Sequence, residues 1–159
     1  EEVTDIAQSF ADNMASLAVA ASGATNPATG MEIAQVAAGC MEVGVGLHGE
    51  KGNAKPLQTA EATVTLMLDA LLEDLNVLPE EKLLVLVSGS GATTLMEQLI
   101  IFRNCYAYLA EKNIEIVASH VGELMTVQEM AGFEICIARM NEELLKYWNA
   151  PCYTPYFKK

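Results

Sequence analysis

Apolar residues recur along this chain at two spacings, and each spacing predicts a different kind of element. A spacing of three or four residues is typical of a helix with one buried stripe. Two segments have it: Val3, Ile6, Phe10 and Met14 near the N-terminus, and Val64, Met67, Leu68, Leu71, Leu72 and Leu75 in the middle. A strand and a loop are expected directly after the first of these helices.

Short apolar runs between turn residues predict strands. Residues 83–87 form a continuous apolar run between Lys82 and Ser88, which favours a central strand buried on both faces. Residues 114–118 predict a second buried strand, and residues 132–139 a third. The turn at residues 88–91 leads into another helix, whose buried stripe we expect to be the following: Leu95, Leu99, Phe102, Tyr106 and Leu109.

The order of these elements predicts a three-layer α/β/α sandwich with a mixed sheet. Residues 126–133 are too few for a helical crossover, so we expect the last two strands to pair antiparallel. Asn141 is expected to cap a short helix at residues 142–148, and residues 151–155 are expected to be extended. A chain of 159 residues, 52% of them hydrophobic, is expected to form one domain.

Composition changes the picture mainly by excluding partners. With 9 Lys and Arg against 21 Asp and Glu, the formal net charge is −12, which disfavours nucleic acid and anionic membrane surfaces. The apolar runs are shorter than a membrane span, and no secretory signal is visible, so we expect a cytoplasmic protein. The four cysteines lack metal-ligand spacing and are expected to be free thiols, with Cys136 buried in a strand.

Two histidines limit the acid–base chemistry of the chain. His120 follows an apolar strand and is expected to be a packed or capping side chain. His48 lies among four glycines in residues 44–52, which lets the backbone approach a ligand closely. It is either a ligand-binding residue or a turn histidine with a local hydrogen bond. Glu50 is either a partner that orients the imidazole and lines the same pocket, or an ordinary loop carboxylate.

The glycine-rich turn at residues 88–93 raises the question of an anion site at a helix N-terminus. The turn lacks the Gly-Lys-Ser/Thr ending of a P-loop and the spacing of a dinucleotide-binding fingerprint. A structural turn is therefore the favoured interpretation, and no metal site is expected in this chain.

Several motifs, in order along nearly the whole chain, resemble the substrate-binding (K) subunit of dihydroxyacetone kinases. MEVGVGLHGEKG at positions 41–52 is similar to the family motif around the substrate histidine. The other similar segments are Ser22 with TNP at 25–27, GATTL at 91–95 with Glu97 and Leu99, MAGF at 130–133, and WNAPCYTP at 148–155.

The resemblance implies a K subunit of two α/β domains with the substrate between them, and residues 1–159 correspond to the second. It implies that His48 adds to the ketone carbon of dihydroxyacetone and forms a hemiaminal, with Gly49 and Glu50 beside the substrate. The catalytic Asp and His of the family belong to the first domain. This chain alone is therefore expected to be catalytically incomplete.

The partners that the resemblance implies are the first-half K domain and a separate L subunit or domain. The L partner holds ATP or ADP with Mg, so no cofactor is expected on this chain, and we expect a homo-oligomer. Three alternatives stay open: a non-catalytic dihydroxyacetone-binding regulatory paralogue, a kinase for a related ketose, and a carrier of another small ligand on the same general fold. The family pattern differs from this chain at Ser88, Ser90 and Leu124, and these differences leave the identity of the ketose undecided. The phosphoryl donor is also undecided.

Overall fold

One mixed sheet of six strands organises the molecule, which a computed structural model describes over residues 1–46 and 49–159. The helices are α1 (Glu2–Ala11), α2 (Ala60–Leu75), α3 (Leu95–Glu111) and α4 (Glu142–Trp148). The strands of the sheet are β1 (Met14–Ala20), β4 (Cys40–Val43), β5 (Asn53–Pro56), β6 (Lys82–Gly89), β7 (Glu115–Gly122) and β8 (Gly132–Arg139). A separate small hairpin joins β2 (Ala24–Thr25) to β3 (Glu32–Ile33).

The strand order is β5-β4-β1-β8-β6-β7, with β6 and β7 parallel and every other neighbouring pair antiparallel. The mixed sheet is as predicted, but the predicted pairing of the last two strands is wrong. β8 instead inserts between β1 and β6. The burial of its side chains explains this position, because Ile135 and Ile137 on one face and Cys136 and Ala138 on the other are all buried.

The strand β7 lies at an edge of the sheet, which corrects the expectation that residues 114–118 are buried. Ile114, just before the strand, is buried, but the side chains of β7 are partly or fully exposed. Polar residues such as Glu115 and Ser119 suit an edge strand, which has a neighbour on one side only. The central strand predicted at residues 83–87 is confirmed: Leu83, Leu84, Val85 and Val87 are fully buried within β6.

Helices cover both faces of the sheet, so the three-layer sandwich is confirmed. Leu83, Val85 and Val87 belong to the core that α2 and α3 close on one face. Leu84 belongs to a second cluster on the opposite face, to which α1 contributes Ile6 and Phe10 and α4 contributes Leu144. Successive residues of β6 therefore enter different cores, as the alternation of side chains along a strand requires.

The predicted orientation of α3 is wrong for most of its stripe. The residues that α3 buries are Gln98, Ile101, Cys105 and Leu109. Leu95, Leu99 and Tyr106 are instead 58%, 50% and 61% exposed. Apolar residues occur on most sides of this helix, so two neighbouring sets of residues both have the spacing expected of a buried stripe. The helix leaves one of them uncovered.

Asn141 caps α4 as predicted, because its side-chain oxygen accepts a hydrogen bond of 2.8 Å from the backbone N–H of Leu144. Tyr153, within the segment expected to be extended, forms an antiparallel bridge with Lys158. Cys152 and Lys159 exchange backbone hydrogen bonds of 3.2 and 2.9 Å, which closes the tail into a narrow loop. The ring of Phe157 in this loop packs edge-on against His120, which confirms that His120 is a packed side chain. All four cysteines are free thiols, as predicted.

Candidate functional site

The candidate site is the glycine-rich connection between β4 and β5. The two strands pair antiparallel with Val43 opposite Asn53, so residues 44–52 form the loop of a hairpin. The backbone N–H of Gly44 donates to the carbonyl oxygen of Ala18 at 2.8 Å, which fastens the start of the loop to β1. Within the loop, Gly46 donates to the carbonyl of Glu50 at 3.0 Å and Gly49 donates to the carbonyl of Gly46 at 3.3 Å.

Glycine is required at several positions of this loop for identifiable reasons. Gly44 and Gly49 have φ angles of +84° and +90°, a region that side chains with a Cβ rarely adopt. A Cβ on Gly52 would lie 2.7 Å from the carbonyl oxygen of Val43, and a Cβ on Gly46 would overlap the side chain of Glu50. The glycines that suggested close backbone approach to a ligand thus also allow the hairpin itself to form.

The predicted site residues have different outcomes. His48 lies outside the described residues, so its role stays a prediction. Gly49 and Glu50 are described, and both are exposed. The Glu50 side chain lies against the backbone of Gly46. The hairpin therefore presents Gly49 and Glu50 at the surface, beside position 48 in the sequence.

A second group of motif residues meets at the ends of β1, β6 and β8. Ser22 follows β1, and its hydroxyl oxygen accepts a hydrogen bond of 2.9 Å from the N–H of Ala131. Thr93 donates through its hydroxyl to the carbonyl of Gly132 at 2.6 Å and accepts from the N–H of Gly132 at 3.1 Å. These contacts join three segments that are far apart in sequence. These hydrogen bonds thus hold together the loops at the ends of β1, β6 and β8.

The turn at residues 88–93 also uses its polar groups internally, which supports the structural interpretation. The Ser88 hydroxyl accepts hydrogen bonds from the N–H groups of Leu124 and Met125 at 3.1 and 3.3 Å. Thr94 caps α3 in a capping box with Glu97, and the hydrogen bonds from Thr94 hold the pKa of the Glu97 carboxyl below its usual value. The carboxylate of Glu97 therefore already occupies the end of the helix where an anion would bind.

Sequence reasoning missed a buried polar pair behind this turn. Gln98 is 1% exposed, and its amide nitrogen donates to the carbonyl of Thr93 at 2.8 Å and to the carboxylate of Glu123. Gly89 leaves room for the pair, because a Cβ there would overlap both side chains. Gln98 was hidden because helical spacing placed it outside the expected apolar stripe.

Other kinds of site receive little support. Among residues 1–46 and 49–159, no three His, Cys, Asp or Glu side chains come together in a way that would hold a metal ion. A hollow of about 210 Å³ lies on the sheet between Ser16, Leu86 and Cys136, away from the glycine-rich hairpin. No helix in the described part of the chain is long and apolar enough to cross a membrane.

Comparison with known proteins decides the family. The model of the Dak1 domain matches residues 1–156. The chain belongs to the Dak1 domain family. Among curated relatives, the "PTS-dependent dihydroxyacetone kinase 2, dihydroxyacetone-binding subunit DhaK" of Listeria innocua is 35% identical over 99% of this chain and 48% of its own length. The "L-erythrulose kinase" of Pectobacterium atrosepticum is 32% identical over 99% of this chain and 28% of its own length.

Solved structures agree on the Dak1 fold. The "Dihydroxyacetone kinase operon co-activator Dha-DhaQ" superimposes with a TM-score of 0.87 over 94% of this chain and 47% of its own, at 24% identity. At this identity the likeness concerns the fold alone. The chain thus spans about half, or less, of the length of the relatives that it matches.

Proposed function

We propose that this chain is the ketone-binding half of a dihydroxyacetone kinase substrate subunit, in which His48 captures dihydroxyacetone as a covalent hemiaminal. The observation that carries the proposal is the 35% identity to a dihydroxyacetone-binding subunit over 99% of this chain. The glycine-rich hairpin supports it, since Gly46, Gly49 and Glu50 are exposed and are joined by backbone hydrogen bonds.

The proposed chemistry is the addition of a neutral imidazole to a ketone. The lone pair of one ring nitrogen attacks the carbonyl carbon, a C–N bond forms, and the π electrons of the C=O bond move to oxygen. The oxygen gains a proton while the imidazole loses its N–H proton, so the product is an uncharged hemiaminal. Glycerol has no electrophilic carbon and cannot be held in this way, which gives the site its selectivity. His48 is then the nucleophile that binds and orients the substrate.

Gly49 and Glu50 complete the proposed substrate-binding segment. Gly49 has a positive φ and no side chain, so the backbone at this position can approach a ligand closely. The Glu50 carboxylate is a hydrogen-bond acceptor on the same exposed loop, suited to a ketose hydroxyl or to the imidazole N–H. Neither residue is assigned a proton transfer to the reacting hydroxyl.

The length of the relatives supports an assembly of two halves. In this proposal the complete substrate subunit would also contain a first half, which supplies the acid–base residues, and the substrate would lie between the two halves. The phosphoryl donor would be carried by a separate nucleotide-binding L subunit or domain. Purified alone, this chain should not phosphorylate a ketone, whether or not it binds one.

The hemiaminal is tested by ¹³C NMR and intact mass on the complete protein. With dihydroxyacetone labelled at the carbonyl carbon, binding should move that carbon from a trigonal to a tetrahedral chemical shift. His48→Ala should abolish the shift, whereas the matched variant of the other histidine within residues 1–159, His120→Ala, should retain it. Capture should also weaken as pH falls through the titration range of free imidazole, about pH 6.5. A carbonyl that stays trigonal in the wild-type protein would refute the proposal.

The same protein distinguishes the alternatives. The similarity to an L-erythrulose kinase favours a four-carbon ketose as the second candidate substrate. Competition between dihydroxyacetone and erythrulose for the labelled site would rank the two ketoses. Capture without phosphorylation, when the first half, an L partner and nucleotide are all present, would instead identify a regulatory binder.

A further inference from the structure

Two buried oxygen atoms behind the glycine-rich turn at residues 88–93 have no hydrogen-bond partner in the described part of the chain. They are Oε1 of Gln98 and Oε2 of Glu123. Gln98 is only 1% exposed, and Glu123 is partly buried. A buried acceptor without a donor destabilises a fold, and the cost is larger when the acceptor carries charge. The two oxygens therefore indicate that a further group completes this part of the structure.

The orientation of the Gln98 amide is determined by its neighbours. Its nitrogen donates to the carbonyl of Thr93 at 2.8 Å and to Oε1 of Glu123. A carbonyl and a carboxylate can only accept, so turning the amide over would place its oxygen against two acceptors. Oε1 of Gln98 is thus the atom that must remain without a partner. The two unpartnered oxygens belong to side-chain groups that are in direct contact with one another.

The fold holds Glu123 in place from both sides. Its backbone carbonyl accepts a hydrogen bond from the hydroxyl of Tyr156. The backbone N–H groups of residues 124 and 125 donate to the hydroxyl of Ser88 at 3.1 and 3.3 Å. Gly89 provides the space for the carboxylate, because a Cβ at this position would overlap both side chains of the pair. The position of the carboxylate is therefore set by β6, β7 and the C-terminal loop together.

The charge around the pair is negative. Glu97 lies one residue before Gln98, and its carboxylate accepts hydrogen bonds from Thr94 at the N-terminus of α3. Neither Glu97 nor Glu123 forms an ion pair with a lysine or arginine among residues 1–46 and 49–159. A carboxylate removed from water without a positive partner is unfavourable. A cation would supply that charge and bind both oxygens, whereas a water molecule would supply hydrogen bonds but no charge.

We propose that Gln98 and Glu123 bind a monovalent metal cation such as K⁺, with the two unpartnered oxygens as its side-chain ligands. Oxygen is the ligand that hard cations prefer. One carboxylate and one neutral amide balance a single positive charge, whereas Ca²⁺ sites usually combine several carboxylates. No three His, Cys, Asp or Glu side chains come together in the described ranges, which disfavours a divalent ion. The ion fastens the end of β7 to the first turn of α3.

Anomalous X-ray diffraction locates the ion directly. Crystals of the complete protein that contains these residues are soaked in rubidium chloride, because Rb⁺ replaces K⁺ at oxygen sites and scatters anomalously. The expected result is an anomalous peak in contact with both Oε1 of Gln98 and Oε2 of Glu123. Density there without an anomalous signal would identify water and overturn the proposal, and so would the absence of density.

The melting temperature of the same protein measures occupancy in solution. Potassium chloride is compared with tetramethylammonium chloride at equal concentration, because the second cation is too large for a buried site. With a Kd of about 10 mM, about 100 mM K⁺ favours the folded state about elevenfold and raises the melting temperature by about 2–4 °C. Equal melting temperatures of the wild-type protein in the two salts would overturn the proposal, and a rubidium peak would then be an adventitious ion only.

Three variants assign the effect to the pair. Glu123→Gln removes the charge and keeps the shape, so it should lose the difference between the two salts, as should Gln98→Met. Glu73→Gln removes an exposed carboxylate of α2 and should keep the difference. A difference that persists in Glu123→Gln would refute the site. The wild-type comparison and the anomalous peak need no variant, so a variant that fails to fold leaves the test complete. Neither readout involves a ketone, so the hemiaminal is tested separately.

Discussion

Replacing Arg139 should loosen the junction between the sheet and α2. Arg139 ends β8, and its Nε donates to a carboxylate oxygen of Glu81 at 2.9 Å. Its Nη2 donates to the carbonyl of Asn76 at 2.8 Å and to the carbonyl of Leu75. These carbonyls belong to the end of α2, where the helix has no partner of its own for them and where a positive charge is favourable. One side chain thus joins three segments.

The expected loss of stability in Arg139→Met follows from these bonds. A partly exposed ion pair contributes about 0.5–1 kcal/mol, and the hydrogen bonds to the helix carbonyls about 1–2 kcal/mol together after allowance for solvent. The sum of about 1.5–3 kcal/mol corresponds to a fall in melting temperature of about 3–12 °C for a chain of this size. Urea unfolding followed by circular dichroism measures it directly.

The matched control for Arg139→Met is Lys112→Met. The Lys112 ammonium is 3.8 Å from the carboxylate of Asp69, and both side chains are largely exposed, so the expected loss of stability is much smaller than that of Arg139→Met. Arg139→Lys should fall between the two, because one ammonium cannot reach all three acceptors at once. If Arg139→Met is no less stable than Lys112→Met, the junction does not stabilise the fold in the way described.

Three further predictions concern the region behind the glycine-rich turn and the buried thiols. Gln98→Met should lower the free energy of unfolding by about 1–3 kcal/mol, measured in urea, because the partly buried Glu123 carboxylate loses its donor. Gly91→Ala should also cost about 1–3 kcal/mol, since its φ is +127° and a Cβ would overlap a neighbouring carbonyl. Burial raises the pKa of Cys105 to about 12, so iodoacetamide at pH 8 should label the exposed Cys152 and leave Cys105 unmodified in mass spectra.

The parts of the fold that sequence reasoning predicted are those in which one pattern allows one structure. The apolar run of β6 fits only a strand buried on both faces, and the single stripe of α2 fits only one orientation of that helix. Asn141 was recognised because an N-cap depends on a local hydrogen bond to Leu144, three residues along. These features are fixed by neighbours in sequence, so the sequence alone is sufficient to find them.

The wrong predictions concern choices between partners that are distant in sequence. The pairing of β8 with β1 and β6 depends on how much apolar surface each possible strand order would bury. That comparison involves every strand of the sheet. The orientation of α3 depends on Gln98 being buried, and the partner that makes this possible, Glu123, is 25 residues away. The closure of the extended tail through backbone bonds between Cys152 and Lys159 is not among the predictions, because such bonds carry no sequence signature.

The candidate site likewise has features that the sequence predicts and features that depend on residues distant in sequence. The glycines of the β4–β5 hairpin were expected to allow a close approach, and the positive φ angles of Gly44 and Gly49 give them a conformational reason as well. The contribution of Ser22, Thr93 and Gly132 was recognised only as family resemblance, because their mutual hydrogen bonds span up to 109 residues.

The Dak1 motifs therefore contain two groups of residues, one that supports the fold and one that lies at the exposed hairpin. The hydroxyls of Ser22 and Thr93 form hydrogen bonds with the backbone of residues 131 and 132. Gly132 has no side chain, which allows close contact with the backbone of β1. All three residues therefore help to hold the ends of β1, β6 and β8 together. The hairpin around Gly46 and Glu50 is joined to the sheet mainly through its own strands and one bond to Ala18, and its surface is exposed. A substrate contact placed there can change without disturbing the scaffold. Relatives named for dihydroxyacetone and for erythrulose are compatible with such an arrangement, in which one fold holds different ketoses.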